Sequence, residues 1–156
     1  CYPMNKYEIL LDEANDKGLI VKEKSLQSSN GRIKGNRIAI RKDLKTTVEK
    51  ACVLAEELGH YETTVGDILE MSSSWNRKQE RQARLNGYNR MIGVFGIIRA
   101  YEAGCQAQHE IADFLNVTEE YLLECIECYR DKYGERKSIN NYIVYFIPNL
   151  AVIKIV

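Results

Sequence analysis

The 156-residue chain has no net charge, since 22 Lys and Arg balance 22 Asp and Glu. With no overall field, neither nucleic acid nor an anionic membrane is attracted to the molecule as a whole, and either would have to be met by a local patch. Long apolar runs are missing too. None approaches the roughly 18 residues that span a bilayer, and no signal peptide is visible, so the chain is expected to be cytoplasmic with no membrane partner. Cysteine is sparse: Cys1, Cys52, Cys105, Cys125 and Cys128 form an odd set, too thin for a secreted disulfide scaffold, and are expected to be reduced. Cys125-x-x-Cys128 has the spacing of half a metal or redox motif. No second Cys pair or His pair at finger spacing accompanies it, and it falls inside an amphipathic helical pattern, so small apolar residues on a buried face are the reading adopted. The length allows one domain with a real core and is too short for two full-sized ones. Met4 looks like the natural start, with Cys1-Tyr2-Pro3 left outside the fold.

What the chain does contain is a β-rich stretch followed by helices. Tyr7, Ile9, Leu10, Leu11 and Ala14 form a helical stripe ending at Gly18, a glycine where a helix C-terminus wants one. Leu19-Ile20-Val21 is a short β run, then Gly31 to Lys34 and Arg37 to Ile40 predict a hairpin turning at Gly35-Asn36. Further on, Ile97, Ile98 and Tyr101 mark a helix ending at Gly104, Gln106 to Leu115 a second and Glu119 to Tyr133 a third. Ile139 to Phe146 and Leu150 to Val156, around Pro148-Asn149, predict a closing β-hairpin. The class is α+β.

The stretch Thr46 to Tyr61, TTVEKACVLAEELGHY, carries the chemistry. Thr46 three residues before Glu49 is a capping-box signature, and Val48, Ala51, Cys52, Ala55 and Gly59 recur at helical spacing. On that helix Glu56 and His60 lie four apart on one face, with Glu57 beside them. Two side chains one turn apart can grip one metal ion while a carboxylate at the second position reaches the metal-bound water, which makes Glu56 and His60 ligand candidates and Glu57 a general-base candidate. E-E-L-G-H is the H-E-x-x-H motif with Glu in its first position. A solvated helix face with a partly exposed His is the plain alternative.

The run AEELGHYETTVGDIL, preceded by TTVEKACVL and followed by RKQERQAR, resembles the ImmA/IrrE family of metallopeptidases from phages and integrative elements, above all the short members of Gram-positive bacteria. The likeness covers roughly residues 4 to 156 and is most specific over 46 to 90. It implies one zincin-like domain over 4–156, with a peptidase core at 4–92, a helical part at 93–134 and a closing hairpin at 138–156. It also implies a bound Zn²⁺ or another divalent metal, and a protein substrate, a transcriptional repressor, cleaved to relieve repression. Glu80, three before Ala83, matches the family's E-x-x-A and is implied as the third ligand; ion pairing with Arg77, Arg81 or Arg84 is the other reading. Two departures stand out. Glu56 offers oxygen where the family has imidazole, a harder and less selective donor, and Arg84-Leu85 follow Ala83 where the family has Asn and an aromatic residue.

The remaining signals are weighed by charge. Asn116-Val117-Thr118 between two helical patterns resembles a helix-turn-helix corner, yet the second helix carries Glu119, Glu120, Glu124, Glu127 and Asp131 and would repel phosphate. Nucleic acid is therefore not expected as a partner. Basic residues dominate 71–100 and acidic ones 101–131, either as solvated faces or as a bipolar surface. His109 is read as a surface or cap residue. Tyr61 either packs or donates a hydrogen bond to a developing charge. Against the peptidase stand a metal-free, non-catalytic protein-binding regulator and, behind it, a DNA-binding regulator.

Overall fold

The computed structural model describes residues 5–63 and 73–155, without the side chains of 73–76. The chain divides into two compact units, Cys1–Arg90 and Met91–Val156. Each has its own three-stranded sheet. No helix among the described residues is long and apolar enough to cross a membrane.

In the first unit α1 (Lys6–Asp16) is opened by a cap that the sequence reading did not name. The Glu8 N–H donates to the Asn5 side chain at 2.8 Å, and the Asn5 N–H donates back to the Glu8 carboxylate at 3.4 Å. These two bonds satisfy donors that a helix start otherwise leaves bare. The chain leaves the helix through Gly18, whose φ of +76° is the left-handed conformation that glycine adopts without strain. Of the expected stripe, Tyr7, Leu10 and Ala14 are buried, whereas Ile9 is exposed. The buried face is thus narrower than the apolar pattern.

Strands β1 (Ile20–Lys24), β2 (Gly31–Lys34) and β3 (Arg37–Arg41) form a sheet ordered β1-β3-β2. β1 runs parallel to β3, and β2 pairs with β3 antiparallel through the expected Gly35-Asn36 turn. Alternation gives the sheet two unlike faces. Ile38 and Ile40 are buried, and α2 (Thr47–Thr63) packs against β2 and β3. The opposite face presents Lys22, Lys24, Arg32, Lys34 and Arg37 to solvent. Thr46 caps α2, its hydroxyl accepting from the Glu49 N–H at 3.1 Å and donating to the Glu49 carboxylate at 3.4 Å. The sequence from Tyr61 to Asp67, with Thr63, Thr64 and Gly66, reads as a stretch that crosses near the cleft; instead α2 continues to Thr63, and the remainder, to Asp67, lies outside the described residues. α3 (Ser73–Met91) follows.

One long-range tie within this unit joins Arg90 to Glu13. The Arg90 Nη2 donates at 2.7 Å and Nε at 3.1 Å to the Glu13 carboxylate, and Lys17 donates to the same group at 2.9 Å. Burial alone would raise the Glu13 pKa, but the hydrogen bonds and charges of Arg90 and Lys17 together outweigh it and hold the carboxyl below its usual range. A folded pKa below the unfolded value of about 4.3 means stability that is present above that pH and lost as pH falls through the folded pKa. Thermal unfolding followed from pH 7 to pH 3 should show this acid-side loss. Arg90→Leu should flatten it while costing about 1–3 kcal/mol at neutral pH, since it leaves a charged group without its main partner; an unchanged acid slope in the variant would assign the loss to other carboxylates.

The second unit consists of α4 (Gly93–Glu102), α5 (Gln108–Leu115), α6 (Glu119–Tyr133) and strands β4 (Arg136–Ile139), β5 (Tyr142–Tyr145) and β6 (Ala151–Lys154). Ile97, Leu122, Cys125, Tyr129, Val144 and Phe146 are its buried centre. Tyr129, Tyr133 and Phe146 contact one another at ring separations of 5.7 to 6.1 Å. Cys125 is buried, its thiol pushed up by desolvation, in keeping with a packing role, and Cys128 is partly buried. Between α5 and α6, Asn116 takes a left-handed φ of +57° and the Thr118 hydroxyl accepts from the Tyr121 N–H at 3.0 Å. The C-terminal β structure is wider than a hairpin over 138–156. The run expected as one strand from Ile139 to Phe146 is broken at Asn140, where φ is +52°, and β4 joins β5 antiparallel across Asn140-Asn141 before β5 pairs with β6. Two asparagines between apolar residues form a two-residue turn of the kind Asn tolerates.

Candidate metal centre

Helix α2 carries Glu56 and His60 one turn apart, and α3 brings Glu80 to them. One ligand atom from each of the three lies within 4.8 Å of the others. His60 Nε2 and Glu80 Oε1 are 3.5 Å apart. Donors held ~2.0–2.2 Å from a tetrahedral ion stand about 3.3–3.6 Å from one another, so this pair already has the spacing of a coordination edge. The three are partly exposed, which leaves room for a fourth ligand and for substrate. One imidazole and two carboxylates are donors suited to a divalent transition metal, with more oxygen character than zinc sites rich in His or Cys.

The approach of α3 to α2 has a local cause. A Cβ built on Gly59 would lie 2.2 Å from the Ala83 carbonyl oxygen and 3.3 Å from the Gly87 nitrogen. The helices therefore touch backbone to backbone, with Gly59 on one side and Ala83, fully buried, on the other. His60 follows Gly59, and Glu80 stands one turn before Ala83. The Gly of E-E-L-G-H and the Ala of E-x-x-A are the contact that brings the two ligand candidates together.

Glu57, the neighbour of Glu56 on α2, is the one charged residue buried among those described, at 8% exposure. Desolvation, then the charges of Glu56 and Glu80, push its carboxyl up to about 7. Strand β2 begins against it: a Cβ on Gly31 would come within 2.6 Å of Val53 Cγ1 and 3.0 Å of Glu57 Oε1. Any side chain here would have to push the Val53 and Glu57 side chains aside for β2 to start so close.

The IrrE N-terminal-like domain model, of the peptidase M78 class, matches residues 14–127, most of the chain and the whole of this site. The chain belongs to that family. As an IrrE N-terminal-like domain it falls within a metallopeptidase family, and the resemblance found on residues 46 to 90 agrees with the match. No curated protein and no solved structure matches the chain.

The other residues weighed from the sequence have defined places in the IrrE N-terminal-like domain. Arg84 Nε lies 3.7 Å from Glu80 Oε1, the i,i+4 pair weighed from the sequence, so Glu80 faces His60 and Arg84 at once. Tyr61 is at the exposed margin of α2, 36% accessible. His109 is exposed in the second unit. Sequence reasoning missed Gly31, and it read Gly59 and Ala83 as pattern only; a Gly next to a proposed ligand and an Ala one turn from another are the small-residue signals that mark a close helix crossing.

Proposed function

We propose that the chain is a metal-dependent endopeptidase of a phage or mobile element, acting in the cytoplasm on a partner transcriptional repressor. The observation that carries this reading is the convergence of Glu56, His60 and Glu80 beside the buried carboxylate of Glu57, in a chain whose family is one of metallopeptidases. Glu56, His60 and Glu80 would hold Zn²⁺ or another divalent ion. Such an ion, when bound, polarises a scissile carbonyl and acidifies water.

The protein's own part is proton handling and alignment. Glu57, buried next to the ligands, accepts a proton from the attacking water at its carboxylate and returns it to the leaving amine. β2 is an edge strand of its sheet, so its outer backbone groups can pair with an extended peptide, and Gly31 lets that edge begin beside Glu57. Two carboxylates neutralise a divalent charge more fully than one carboxylate and two imidazoles do. A poorer electrophile follows, so cleavage should depend on binding energy from a docked partner rather than extend to generic peptides.

The Arg84–Glu80 contact favours the rival reading, in which the carboxylate serves an ion pair and the chain binds proteins without cleaving them. Metal titration by calorimetry separates the two. Saturable binding of one divalent ion per chain, weakened about 10-fold or more by Glu80→Ala and strengthened by Glu56→His, is the expected result; no binding to the unmodified chain would favour the non-catalytic regulator.

A further inference from the structure

The outer face of the β1-β3-β2 sheet is a cationic hollow that the proposed chemistry does not use. Its volume is about 340 Å³, within the range of binding pockets, and Lys22, Lys24, Arg32, Lys34 and Arg37 line it together with Ile20 and Ala39. The sheet register explains its form. Arg32, Ala39 and Lys22 stand in one row across β2, β3 and β1, and Lys34, Arg37 and Ile20 in the next. Ala39 is the small residue at the centre, so the floor sinks there while longer cationic side chains rise around it. Ile20, 44% exposed, adds an aliphatic wall.

All five cations are exposed, and none is in a salt bridge with a carboxylate among the described residues. No acidic residue lines the hollow. Five like charges on one small sheet face in a chain of zero net charge are a local field, which recruits an anionic partner. No aromatic ring lies among the lining residues, so bases would have nothing to stack on, and the apolar surface of Ile20 and Ala39 fits an aliphatic side chain better than a sugar-phosphate strand.

We infer that this face docks an acidic segment of a protein partner, seating an aliphatic side chain on Ile20 and Ala39 between carboxylates held by Arg32, Lys34, Arg37, Lys22 and Lys24. That the partner is also the cleaved protein rests on the peptidase reading above. β2 connects the two sites: its Gly31 end adjoins Glu57, and its Arg32 and Lys34 point to the outer face. An acidic stretch near the scissile segment would therefore be held by the same strand.

Fluorescence anisotropy of the full chain with a labelled peptide alternating Glu with aliphatic residues tests the docking. The Glu peptide should bind at least about 10-fold more tightly than its Gln counterpart at low salt, and the advantage should shrink as salt rises. Arg32→Glu combined with Lys34→Glu should remove it; Lys22→Gln combined with Lys24→Gln, a milder change on a different strand, should weaken it in the same direction if the first pair disturbs the sheet. Equal binding of the Gln peptide, or indifference to both pairs of substitutions, would overturn the inference. So would a single-stranded oligonucleotide that binds more tightly than the peptide and is lost with the same substitutions, which would assign the face to nucleic acid. Metal titration keeps the two proposals apart: docking lost in the charge-reversed chain with metal affinity retained supports the face, whereas docking by an unmodified chain that takes no metal defeats only the peptidase reading.

Discussion

Replacing Glu57 by Gln is expected to lower peptide-bond cleavage by about 10²–10⁴-fold, the usual contribution of a positioned general base, while metal affinity stays within a factor of a few. The amide keeps the shape of the side chain and removes only its capacity to take a proton. Because Glu57 is 8% exposed, the substitution also removes a carboxylate from a poorly solvated place, and the thermal midpoint should hold or rise rather than fall. That combination is what distinguishes a base from a structural residue. A variant with cleavage intact would remove Glu57 from the chemistry, and one that unfolds would make its burial a packing requirement instead. The substrate for this measurement should be a protein partner, since generic peptides lack the docking energy on which the site is proposed to depend.

Gly59→Ala should be strongly damaging to the first unit. Its Cβ would meet the Ala83 carbonyl oxygen at 2.2 Å, and a backbone atom of a packed helix cannot swing aside as a side chain can. Overpacking of this kind costs about 1–3 kcal/mol, and more where neither side yields. If α3 instead moves away, Glu80 moves with it, and the 3.5 Å approach to His60 opens. Either stability falls, read by denaturant unfolding, or metal affinity falls, read by calorimetry. A variant with both unchanged would show that the helices do not meet in solution as described. Val53 and Glu57 around Gly31 form the comparable contact on the sheet side, but there the opposing atoms are side chains and can adjust.

Much of this arrangement was legible before any coordinates. The capped helix from Thr46, the hairpin at Gly35-Asn36 and the three helices between Gly93 and Tyr133 follow local rules of capping, turn chemistry and periodicity, and those rules act over a few residues. The Glu56–His60 pair was legible for the same reason, being one turn apart. Glu80 was a different matter: nothing local ties residue 80 to residue 60, and only the family pattern proposed it. The contact that brings them together depends on two small side chains, and absence of volume leaves little trace in a hydrophobic pattern. The parallel pairing of β1 with β3 was likewise beyond a local reading, since register across a loop is fixed by tertiary packing. β4 was missed because Arg136, Lys137 and Ser138 are polar and exposed and show no apolar alternation, and the Asn140-Asn141 turn was read as part of the strand that follows.

The outer edge of β2, unpaired among the described residues, has a consequence for how copies of this chain behave at high concentration. An unpaired strand invites another strand, and edge-to-edge joining of identical sheets is a common route to aggregation. Here the strand has four residues, and two of them, Arg32 and Lys34, are exposed cations. Two copies brought together along this edge would set those charges against their own kind, which is unfavourable when like charges sit in adjacent strands. The seam thus repels itself, while a strand of opposite charge meets no such barrier.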